Sequence, residues 1–144
     1  MEEKKKYRLT DETIEVNGRT LYRIEALKDF KAVKAGDKGG FVESEKNLSI
    51  SGDAWVYGNA KVYGYAKVYG DAEVSGDADY IVFKNWWSSG RYFTWTRSNN
   101  KWRVGCFYGT GEELIAKAYK DSEKSGREYE RVVRYVESIL HDNK

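Results

Sequence analysis

Apolar positions along the chain change period three times. Near the amino terminus they alternate in two runs, Thr13-Ile14-Glu15-Val16 and Arg19-Thr20-Leu21-Tyr22-Arg23-Ile24, which flank Asn17-Gly18. An Asn-Gly pair between alternating runs predicts a hairpin with a two-residue turn and Ile14 opposite Leu21. The turn-rich stretch Ala35-Gly36-Asp37-Lys38-Gly39-Gly40 and the short apolar runs Phe41-Val42 and Leu48-Ser49-Ile50 follow. From Ile50 to Asp79 the period becomes six, in five units: ISGDAW, VYGNAK, VYGYAK, VYGDAE and VSGDAD. The first position is Ile50, Val56, Val62, Val68 and Val74; the third is always glycine; the fifth is Ala54, Ala60, Ala66, Ala72 and Ala78. A β-branched residue, a glycine able to take left-handed angles and a small residue suit a short strand followed by a tight turn. In this pattern Tyr57, Tyr63 and Tyr69 point outward.

At Tyr80 the period returns to two. Tyr80-Ile81-Val82-Phe83, Arg91 to Thr96 and Trp102 to Tyr108 predict a three-strand antiparallel meander with turns at Ser88-Ser89-Gly90 and Ser98-Asn99-Asn100. Alternation places Phe93 and Trp95 on one face with Arg91 and Arg97 at its rims. It also places Trp102, Val104, Cys106 and Tyr108 together. The last segment is helical: Glu112 to Lys124 has acids in its first turn, Gly126 punctuates it, and Tyr129, Val132, Val133, Val136 and Leu140 form an apolar stripe at helical spacing.

The six-residue units resemble the hexapeptide repeat of left-handed parallel β-helices. That resemblance implies a mainly β fold with a C-terminal α part: a short left-handed parallel β-helix, then a small antiparallel-sheet plus two-helix α+β unit. The expected divisions are a hairpin and leading cap over 1–49, the repeat over 50–79 and the α+β unit over 80–144. Five units make under two coils, so flanking chain or a second subunit must cover the ends, and a homo-oligomer is expected. The phrases LTDETIEVNGRTLYRIEALKDF and VKAGDKGGFVESEKNLS, with the VYGNA-type units and GCFYGTGEEL near the carboxyl end, resemble small hexapeptide-repeat proteins of phages and prophages. The resemblance implies a phage-associated accessory protein and transfers no catalytic residue.

Composition narrows the chemistry. The 144 residues suit one domain's worth of chain, and no apolar run reaches the roughly 18 residues of a membrane helix. The charged start, with Lys4-Lys5-Lys6 expected to be solvated, reads as no leader, so the expected place is the host-cell cytoplasm and no membrane partner is expected. One cysteine, Cys106, expected as a small core residue, and one histidine, His141, argue against disulfide, zinc or histidine-base chemistry. No cofactor, metal or catalytic activity is expected. A hexapeptide acyltransferase is the least favoured reading, because no histidine lies in the repeat.

Net charge is only +2, yet residues 80–111 contain no acid and five cations, leaving 20 basic against 23 acidic residues elsewhere. The same stretch carries four of the five tryptophans. Cations interleaved with aromatics suit a protein hot spot or a surface that stacks bases and meets phosphates. The candidate binding residues are Trp86, Trp87, Arg91, Trp95, Arg97, Lys101, Trp102 and Arg103. Adjacent Trp86 and Trp87 cannot both turn inward, so at least one faces solvent. Glu112-Glu113 are expected to match the helix dipole, and Gly109-Thr110-Gly111 before that helix is a weak anion-site candidate. The leading expectation is a non-catalytic phage-encoded binding protein that inhibits a host defence factor, a CRISPR effector for example. The alternatives are a nucleotide or nucleic-acid binder, including one that sequesters a nucleotide immune signal, and a structural virion component.

Overall fold

In the computed structural model, which describes residues 5–142, strands β1 (Tyr7–Val16) and β2 (Arg19–Ala26) pair antiparallel around Asn17-Gly18, with Ile14 opposite Leu21. Strand β3 (Lys38–Val42) adds antiparallel to β2. The repeat contributes three two-residue strands, β4 (Trp55–Val56), β5 (Lys61–Val62) and β6 (Glu73–Val74). Strand β5 joins β3 in parallel, closing a mixed sheet of order β1-β2-β3-β5, while β4 and β6 form a separate parallel pair.

The expected short left-handed parallel β-helix is therefore not the architecture. Parallel pairing is confined to these two-residue ladders and one bridge between Leu48 and Val68, distributed over a mixed sheet and an isolated pair. The physical reason is the shortness of the repeat. Its inward residues cannot bury one another alone and instead complete a core begun by the hairpin. Val56, Val62, Val68 and Val74 lie with Tyr7, Ile24, Val42 and Leu48 in one cluster, to which Trp55 adds edge-on contacts with Tyr7 and Phe30. The first unit departs from the pattern, since Ile50 is 41% exposed.

Beyond the repeat, β7 (Tyr80–Lys84), β8 (Tyr92–Thr96), β9 (Lys101–Val104) and β10 (Phe107–Gly109) form an antiparallel sheet of order β10-β9-β8-β7. Four strands stand where the alternation predicts three, because Gly105-Cys106 turns the chain between β9 and β10. That turn leaves Cys106 exposed, not in the core. It also reverses the expected faces: Phe107 packs with Val104 against the helical core, and Tyr108 pairs with Arg103.

Helices α1 (Gly111–Asp121) and α2 (Glu123–Asp142) cover one face of this sheet. Their Leu114, Ile115, Ala118, Tyr129, Val133 and Val136 share a second core with Phe93, Trp95 and Trp102. Thr110 and Glu113 form a reciprocal capping box at the start of α1. Gly126 does not end a helix. It lies buried inside α2, where a Cβ would collide with the Tyr119 ring, so the small residue sets how closely α1 and α2 pack. The other face of the sheet rests on the repeat. Tyr80 Oη donates to Lys61 O at 2.9 Å, Tyr108 Oη to Tyr69 O at 3.0 Å, and Thr94 Oγ1 accepts from Lys67 N at 3.0 Å. Thr94 and Thr96, on the opposite side of β8 from Phe93 and Trp95, are consequently as buried as those two.

Candidate functional site

The eight residues singled out by sequence do not form one surface. Trp95 and Trp102 are fully buried in the helical core, where Trp95 Nε1 donates to Asn100 Oδ1 at 2.8 Å. Trp87 is half-buried, stacked edge-on against Tyr129, and donates through Nε1 to Ser125 Oγ at 3.0 Å. Trp86 is 66% exposed, with the Lys124 ammonium 5.7 Å from its ring centroid. One indole of the pair thus faces solvent. Arg97 is held by Ala78 O at 3.0 Å and Lys101 lies over the Tyr108 ring.

Arg91 and Arg103 come together in a cleft of about 700 Å³ between the repeat and the sheet. Lys46 and Lys67 supply two more cations, and among the described residues no carboxylate lines it. The 3-10 turn Glu45–Asn47 carries Lys46, and the third repeat unit carries Tyr65 and Lys67. Docking of the repeat onto β8 and β9 places those groups opposite Arg91 and Arg103. The dock is pinned at a turn, where Asn99 Nδ2 donates to Asp71 Oδ1 at 2.9 Å and to Tyr108 Oη at 2.7 Å. The hydrogen bond from Asn99 holds Asp71 below the usual carboxylate range, while burial pushes Tyr108 up.

Ion pairing separates these cations from the others. Arg8, Arg19, Arg23, Arg127, Arg131 and Arg134 each meet a glutamate within 4 Å. Arg91, Arg97 and Arg103, all from the acid-free stretch, meet none among the described residues. Arg103 stacks on Tyr69 with its guanidinium carbon 4.2 Å from the ring centroid. Its Nε is the single buried side-chain nitrogen or oxygen among the described residues that lacks a hydrogen-bond partner. An unsatisfied donor of this kind costs about 1–3 kcal/mol. Beside these cations the rings of Tyr65 and Tyr92 stack, 3.9 Å between centroids and 5° from parallel.

Lys46, Tyr65, Lys67 and Tyr92 were not among the residues the sequence reading selected. Tyr65 did leave a signal. The fourth repeat position reads Asp53, Asn59, Tyr65, Asp71 and Asp77, so one exposed tyrosine replaces a turn-forming residue. The amino end of α1, by contrast, is closed to an anion: Glu113 Oε1 accepts from Thr110 N at 2.9 Å and Arg134 binds Glu112 at 2.6 Å. Among the described residues no group of three or more His, Cys, Asp or Glu is placed to hold a metal ion, and no helix is long and apolar enough to cross a membrane. No protein-family model matches the chain, and no curated protein matches it.

Proposed function

We propose that the protein is a non-catalytic binder that accepts the phosphate of a nucleotide or nucleic acid in the cleft between its repeat and its antiparallel sheet. The observation that carries this reading is the set of four cations, Lys46, Lys67, Arg91 and Arg103, lining one concave site with no carboxylate among the described residues. Outside the cleft every arginine but Arg97, which Ala78 O holds, meets a glutamate, so the charges of Arg91 and Arg103 are left for a partner to neutralise. Phosphate oxygens match a guanidinium fork and an ammonium at short range. In the phage-associated setting implied by the resemblance, such a site would sequester a nucleotide signal of host immunity.

The test is binding of nucleotides and short single-stranded oligonucleotides to the purified chain at rising salt. Affinity should fall at least about tenfold between about 50 and 200 mM salt. The double variant Arg91→Glu/Lys67→Glu should abolish binding with the fold intact by circular dichroism. Salt-independent binding, or binding unchanged in the variant, would remove the cleft from the mechanism.

A second reading has a host protein as the partner, and exposed Trp86 favours it. An accessible indole beside a lysine has the composition of an interface anchor, and a phage protein that occupied a defence factor through it would act as an inhibitor. That reading requires a partner retained after nuclease treatment, lost with Trp86→Ala and kept with Arg91→Glu.

A further inference from the structure

The Tyr65–Tyr92 pair stands between two clefts. On one side is the basic cleft; on the other is a second cleft of about 750 Å³ that shares Gly64, Tyr65 and Tyr92 with it. The two differ in chemistry. The second is walled by Tyr63 and Tyr80 as well as the shared tyrosines, with Val16, Ile81 and Val82 adding apolar surface. Its charged groups are one carboxylate, Asp77, and two cations, Lys61 and Arg19, the latter already paired with Glu43. Tyr80 Oη is committed to Lys61 O, so the contribution of that residue to the wall is its ring.

Resting on the phosphate reading above, we propose that the tyrosine pair is a platform for a nucleobase, so that a nucleoside phosphate lies across it with its phosphates in the basic cleft and its base and sugar in the tyrosine-walled one. Tyr65 is 61% exposed and Tyr92 is 39% exposed although the two rings are in contact. Each ring can shed only the face turned to the other. The Lys84 ammonium lies 5.8 Å from the Tyr92 centroid, which draws a cation to that ring and leaves Tyr65 as the more open of the two. A planar base completes such a stack by covering that surface, and stacking tolerates any base because each has a π-face. Asp77 supplies an acceptor for a sugar hydroxyl or an exocyclic amino group. Neither a bare polyphosphate nor an uncharged nucleoside satisfies both clefts.

The proposal is tested by calorimetry on the whole chain at one low salt concentration. The probes are the four common nucleoside triphosphates, inorganic tripolyphosphate, adenosine and a six-nucleotide single strand. At least one nucleoside triphosphate should bind about tenfold or more tightly than tripolyphosphate, the margin expected of one stacked base. Tyr65→Ala should erase that margin and leave tripolyphosphate affinity unchanged, and Tyr65→Phe should keep it. Tighter binding of the single strand than of every mononucleotide would support the platform with nucleic acid as the source; the reverse would support it with a free nucleotide. Equal affinity for triphosphates and tripolyphosphate, or equal loss of both in Tyr65→Ala, would overturn the platform while leaving the anion-binding cleft standing. Failure of every phosphate-bearing probe to bind would overturn the cleft reading itself, and the platform with it.

Discussion

The sharpest prediction concerns Lys6, which belongs to a run expected to be solvated. Lys4 lies outside the described residues, and Lys5 is exposed and paired with Glu45. Lys6 is completely buried, with Nζ donating to Ala54 O at 2.7 Å and lying 5.3 Å from the Phe30 centroid. Burial lowers its pKa from 10.5 to about 8; Asp53 opposes the fall and Lys28 adds to it. In the unfolded chain the lysine returns to its ordinary value. Between pH 8 and 10.5 the unfolded chain therefore binds more proton than the folded one, and stability rises with pH in that window. The stability associated with the neutral amine is complete above 10.5 and lost as pH falls through 8.

At 1.36 kcal/mol per unit, the full window is at most about 3.4 kcal/mol, of which about 1.5 kcal/mol is gained between about pH 8 and 9.5. Tyr7 and Tyr80 pull the other way: burial raises both, Tyr80 to about 12, so their contribution is lost only as pH climbs above the ordinary tyrosine value of 10.0. Urea unfolding at intervals from about pH 7 to 9.5 isolates the lysine. The wild-type chain should gain stability along that series, and Lys6→Met should be flat. Absolute stability of the variant is not diagnostic, because the Ala54 carbonyl loses its donor. A wild-type profile as flat as that of the variant, or one that falls, would refute the burial of a charged Lys6.

Two further perturbations separate core from surface and backbone from side chain. Trp95→Ala and Trp102→Ala should each cost about 3–5 kcal/mol in urea unfolding. Trp86→Ala should stay within about 0.5 kcal/mol, as expected of an exposed ring. Gly52 and Gly58 both have positive φ, +74° and +59°, but a Cβ at Gly52 would lie 2.7 Å from Gly70 O whereas Gly58 faces open space. Gly58→Ala should cost about 1 kcal/mol for its backbone angle alone. Gly52→Ala should cost about 2–4 kcal/mol, because the steric overlap adds to that angle. Equal melting temperatures for the two glycine variants would contradict the close approach of the first and fourth units.

Local signals were strong enough to read the Asn17-Gly18 hairpin with Ile14 opposite Leu21, the helical stripe of Tyr129, Val133 and Val136, and the inward set Val56, Val62, Val68 and Val74. Each follows from neighbouring residues, through a turn type or a period. The same logic failed where burial depends on what arrives from elsewhere in the chain. Ile50 occupies the pattern yet is exposed, since none of the described residues covers the first unit there. Lys6 is buried because Phe30 and the Ala54 carbonyl close over a side chain that looks solvated in isolation. Cys106 and Tyr108 changed places with the alternation because a hairpin turn interrupted what reads as one strand. The acid-free cationic stretch was visible in composition, but the cleft was not. It exists because Thr94 and Tyr108 dock the sheet on the third and fourth repeat units, bringing Lys46, Tyr65 and Lys67 across from Arg91 and Arg103. A period along the chain states which way a side chain points from its own strand. Only the packing of one sheet on another decides what it meets.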